Sequence, residues 1–143
     1  MLVNLIHLTI HFMEVGVSLQ NQARLGEIMA SLVSFPHLQP EAIFCVSSKG
    51  AKTRAIARIY SFPKVWQVAL KIKPKYVIEV ISEKFDKLSQ EQKDRVLIHE
   101  LMHIPKTFSG ALVPHKCFGR KLICAKTVDA KYEEFKRNYQ SDS

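Results

Sequence analysis

The stretch from Ser89 to Pro105 constrains this chain most, because both ends of a helix and its contents are written into it. Ser89 followed by Gln92 is a capping-box pattern placed just before the apolar run Val96–Ile98. Pro105 disfavours helical geometry in the residue before it, so the helix ends at or before Ile104. Within those limits the chain reads His99-Glu100-Leu101-Met102-His103, an HExxH motif. On a helix the two histidines lie one turn apart on one face, where both can reach a metal ion with bonds of roughly 2.0–2.1 Å. Glu100 is turned about 100° from His99, beside the metal without chelating it. That is the place of a general base acting on a metal-activated water. Apolar residues flank the motif on both sides, and burying these polar groups without partners would cost on the order of several kcal/mol.

A catalytic zinc site usually takes three protein ligands plus water. His115, with eleven residues between it and His103, is the nearest candidate for the third. The gap accommodates a helix stop, a reversal through Ser109-Gly110 and a return to the metal, and it is too long for the HExxHxxGxxH pattern. Glu133, Glu134 and Cys117 are the alternatives. His7, His11 and His37 read as bystanders. As the second donor for a developing oxyanion, Tyr132, Arg120 and Lys116 are candidates.

At 143 residues the chain is expected to form one domain, 1–143. Cys45, Cys117 and Cys124 cannot all pair and have no CxxC spacing, so buried free thiols in a reducing, cytoplasmic setting are expected. Residues 1–20 are apolar, but Asn4, His7, His11 and Glu14 interrupt them and no basic n-region precedes them. Neither a signal peptide nor a membrane span is expected there, only a leader or a strand with alternating Leu8, Ile10 and Phe12. The net charge of +8, from 21 Lys plus Arg against 13 Asp plus Glu, suits a polyanionic partner. On that alternative the protein would be a nucleic-acid-binding module with structural zinc, its phosphate face formed by Lys49, Lys52, Arg54, Arg58, Lys116, Arg120, Lys121 and Lys126.

Around the motif, Leu25, Ile28, Met29 and Leu32 predict an amphipathic helix over Leu19–Val33. Ala42–Val46, Thr53–Tyr60, Val65–Lys73 and Tyr76–Ile81 read as strands, with Lys106–Pro114 a loop. Val128, Tyr132, Phe135 and Tyr139 predict a last helix over Thr127–Asn138, leaving 139–143 as a polar tail. Strands mixed with segregated helices make the class α+β.

The stretch Tyr76–Phe118, with YVIEV, KFDKLS and RVLIHELMHIPKTFSGALVPH, resembles the metallopeptidase domain found in phages and archaea. The resemblance implies His99, His103 and His115 as Zn2+ ligands, Glu100 as catalytic base and a protein or peptide substrate. It implies a zincin-like fold, a small mixed sheet packed on the active-site helix with further helices at both ends. It also implies an extended substrate paired with an edge strand, the expected templates being Val65–Lys73 or Tyr76–Ile81. A weaker similarity, His115 followed by Phe118 at the start of a short helix, is to the HGxxF element of SprT-like proteases, which act on DNA-crosslinked proteins.

Overall fold

The computed structural model describes residues 12–141. A four-stranded sheet is formed by β1 (Glu14–Val17), β2 (Ile43–Lys49), β3 (Ala57–Ser61) and β4 (Tyr76–Ile81), in the order β1-β2-β4-β3. It is mixed: β2 and β4 run parallel, with Cys45 opposite Ile78, while β1 on β2 and β3 on β4 are antiparallel. The helices are α1 (Leu19–Ser31), α2 (Lys64–Leu70), α3 (Ser82–Phe85), α4 (Gln90–Leu101) and α5 (Ala125–Ser141). A two-stranded hairpin, β5 (Lys116–Cys117) and β6 (Arg120–Lys121), precedes α5. The class is α+β, as expected.

One face of the sheet carries Ile43, Cys45, Tyr76, Ile78 and Val80, all buried. Against it pack the stripes Leu25–Ile28–Leu32 of α1, Leu97–Ile98–Leu101 of α4 and Val128–Tyr132–Phe135 of α5, which together form the core. On the other face Glu79 is buried among polar partners: it accepts hydrogen bonds from Ser48 Oγ, Tyr60 Oη and the Arg58 guanidinium. Those bonds, Arg58 foremost, hold its carboxyl below the usual carboxylate range. Arg58 is thereby paired with a buried carboxylate of the sheet.

The metal-motif helix is fixed at its start and along its side. Ser89 and Gln92 form the reciprocal capping box, closing two of the free backbone N–H groups at the helix start. One turn further, Asp94 is buried and takes two bonds from the Arg24 guanidinium of α1, at 2.9 and 2.8 Å, and one from Gln90. The same guanidinium lies over the rings of Phe135 and Tyr139 on α5. One side chain thus ties α1, α4 and α5 together.

Several expectations need correction. Val65–Lys73 is not a strand: Pro63 sets the start of α2, Lys71 ends it in the left-handed region (φ 54°), and Gln67 is its one buried side chain. The alternation of Val68, Leu70 and Ile72 had no sheet edge to join on β4, because β2 and β3 occupy both sides. Residues 139–141 continue α5 rather than forming a tail, and the segment after His115 is a hairpin rather than a short helix. Of the three free cysteines only Cys45 is buried. Of the segment 1–20, Glu14–Val17 pairs with β2 as a strand and α1 begins at Leu19; the Leu8 and Ile10 alternation lies outside the described residues. Among the described residues no helix is long and apolar enough to cross a membrane.

Arg24→Leu would leave the Asp94 carboxylate buried with Gln90 alone. The expected loss is roughly 2–3 kcal/mol of unfolding free energy, read by urea denaturation. A loss well under 1 kcal/mol would show that the pair does not secure α4.

Candidate metal centre

His99 and His103 leave α4 and its C-terminal turn on one face, as their spacing dictates. What brings His115 back to them is a sequence of hydrogen bonds through the loop that follows. Tyr76 of β4, fully buried, accepts from the Gly110 N–H at 2.8 Å and donates to the Ala111 carbonyl at 2.9 Å. Gly110 has φ +88°, and a Cβ there would run into the side chain of Gln67 and the carbonyl of Phe62, so the position needs glycine. Three residues on, Val113 is bonded twice to His103. Its N–H donates to the His103 carbonyl at 2.7 Å, and its carbonyl accepts from His103 Nδ1 at 2.6 Å. The His115 carbonyl in turn accepts from the N–H groups of Leu122 and Ile123, closing the hairpin behind it.

The result is a cluster in which one ligand atom from each of His99, His103 and His115 lies within 4.8 Å of the others. His99 Nε2 and His115 Nε2 are 3.1 Å apart. Two nitrogens bonded to one tetrahedral ion at 2.0–2.1 Å stand about 3.3 Å apart, so the observed spacing fits a shared metal. The bond from His103 Nδ1 to Val113 fixes the tautomer that leaves Nε2 free as an electron-pair donor. Burial, helped by the neighbouring imidazoles, pushes the His99 pKa down to about 4, and His103 is also lowered, mainly by burial. Both rings are therefore neutral near pH 7, the state a metal requires.

Glu100 is buried beside the cluster, and loss of solvent pushes its carboxyl up to about 7. His99 and Glu100 also line a cavity of about 610 Å³ between α4, α5 and the residues leading into β3.

The other sequence candidates lie elsewhere. Glu134 binds Ser34 through its N–H and hydroxyl, Glu133 pairs with Lys136, and Cys117 is exposed on β5. His37 meets the Ile104 carbonyl at 3.2 Å; His7 and His11 lie outside the described residues. Tyr132 is buried, with the Arg95 guanidinium 4.3 Å from its ring centroid, whereas Lys116 and Arg120 are exposed on the hairpin after His115. Tyr76 and Val113 escaped the sequence reading: one looked like a strand residue and the other like loop filler, and neither carries a motif.

A family model described as "Putative phage metallopeptidase" matches residues 18–139. No curated protein and no solved structure matches the chain.

The two opposed shifts have a measurable consequence in the metal-free protein. His99, depressed from an ordinary 6.5 to about 4, contributes stability that is present above pH 6.5 and lost as pH falls towards 4. Glu100, raised from 4.5 to about 7, contributes stability that is present below pH 4.5 and lost as pH rises through 7. Between those limits they partly cancel. Metal-free Glu100→Gln should therefore gain unfolding free energy with rising pH more steeply than the wild type between about pH 4.5 and 6.5. Parallel stability profiles of the two proteins in chemical denaturation would contradict the assignment.

Proposed function

The chain belongs to the phage metallopeptidase family, and we propose that it hydrolyses peptide bonds with a zinc ion held by His99, His103 and His115. The observation that carries the reading is the convergence of these three imidazoles next to a buried Glu100 at the edge of a cavity. Three ligands leave a coordination position open, whereas a structural zinc is usually closed by four protein ligands, so catalysis is favoured over a structural role.

When bound, zinc supplies Lewis acidity, polarising a carbonyl and lowering the pKa of water from 15.7 towards about 7. The chain's own residues do the rest. His103, oriented by Val113, and His99, kept neutral by burial, present lone pairs without competing protons. Glu100 takes the proton from the attacking water and hands it to the leaving amine. Lys116 and Arg120, with no ion-pair partner among the described residues, stand on the hairpin that continues from His115 and are the candidates to meet the oxyanion; Tyr132 is held in the α4–α5 interface. The strand expected to receive the substrate has changed. Tyr76–Ile81 is the central β4, paired on both sides, so the outer edge of β3 is the free template beside α4.

Glu100→Gln is expected to retain zinc at the wild-type stoichiometry while peptide cleavage falls by about 10²–10⁴-fold. His115→Ala is expected to lose zinc affinity itself. Undiminished cleavage by the first variant, or undiminished zinc binding by the second, would overturn the corresponding role; metal analysis and a peptide digest read both.

A further inference from the structure

We propose that the cavity beside His99 and Glu100 is a specificity pocket, taking a bulky apolar side chain of the peptide residue next to the bond cleaved. The proposal rests on the reading of the site as a peptidase.

At about 610 Å³ the cavity lies within the range of roughly 300–1,000 Å³ typical of binding sites. Its walls are Val96 on α4, Ala125 and Val128 on α5, and Ile56 just before β3. Arg95 and Asp129 also line it, but they are paired with each other, and Arg95 further with Glu91 and the ring of Tyr132. Those charges are spent on the α4–α5 contact; Arg54 and Cys124 also line the cavity, and the rest of its wall is aliphatic, so burial of apolar surface is the main thing it offers a ligand.

Position links this lining to the reaction. Val96 stands one helical turn before His99 and Glu100 on the same face, a separation of about 5 Å. In an extended peptide consecutive residues are about 3.3 Å apart and alternate side chains share a face. A carbonyl at the histidine cluster therefore places a neighbouring side chain within reach of Val96 and Val128. A peptide laid along the outer edge of β3 would meet the cavity at the Ile56 end of that strand.

The lining also suggests how to fill the pocket without disturbing the fold. Ala125 is exposed at the first turn of α5, outside the core, and is not one of the three histidines that would hold the metal. Ala125→Phe projects a ring into the space that a substrate side chain would use.

The test has two arms on the full chain. In the first, zinc-loaded wild type and Ala125→Phe digest blocked peptides differing at one residue beside the cleaved bond: Leu, Phe, Ala, Gly or Glu. Wild type should favour Leu and Phe, and Ala125→Phe should lower kcat/KM for them at least tenfold while changing the Ala and Gly peptides less than threefold. In the second, methyl NMR follows the Val96 and Val128 resonances of metal-free protein titrated with the blocked Leu and Gly peptides. Shifts with Leu alone, lost in Ala125→Phe, are expected. Leu-selective shifts without cleavage of any peptide would retain the pocket and remove the peptidase reading. Cleavage without apolar preference, a preference for Glu directed by Arg54 of the lining, which has no ion pair among the described residues, or no effect of Ala125→Phe would overturn the pocket. Neither cleavage nor shifts would overturn both.

Discussion

The two hydrogen bonds between His103 and Val113 are the constraint on which the centre depends. His103 is the last member of a motif that the helix positions unaided, whereas His115 reaches it only if the intervening loop folds back along one path. Val113 decides that path by giving its N–H to the His103 carbonyl and its own carbonyl to His103 Nδ1. One residue thereby performs two tasks: it returns the chain to the helix end, and it orients the imidazole that the metal would use. Upstream, Tyr76 anchors the same loop to the middle of the sheet, so the position of His115 traces back to the buried central strand β4.

Electrostatics and packing reinforce each other around this point. Burial of His99 and His103 favours their neutral rings, and the imidazoles beside them push in the same direction. The same loss of solvent raises Glu100. A cation would relieve both effects, since it accepts the imidazole lone pairs and favours the ionised carboxyl. The capping box at Ser89 and the Arg24–Asp94 pair, with Arg24 stacked over Phe135 and Tyr139, hold α4 from its start and its flank.

Much of this was legible in the residues. The bounds of α4 followed from Ser89, Gln92 and Pro105, and β4 is the YVIEVI run as read. The stripe Leu25–Ile28–Leu32 located α1. Where the reading failed, local pattern was ambiguous and tertiary partners decided. Val65–Lys73 alternates like a strand, yet every position on β4 was already paired, and Pro63 with a buried Gln67 made a helix of it. Residues 139–141 looked polar and terminal, but Tyr139 lies under Arg24, and that contact carries the helix onward.

The sequence by itself determined the helix with its two histidines and glutamate, because capping, periodicity and a terminating proline are local and need no distant partner. It also put His115 within reach through the length of the gap and the glycine at 110, which alone suits φ +88° against the crowding side chain of Gln67. Tertiary structure decided which edge of the sheet is free, which charges are spent on each other and where the cavity opens. Those depend on strand order and on contacts between residues far apart in the chain, such as Arg24 with Asp94 and Tyr76 with Gly110. No local pattern encodes them, because the energy that selects them appears only when the elements pack.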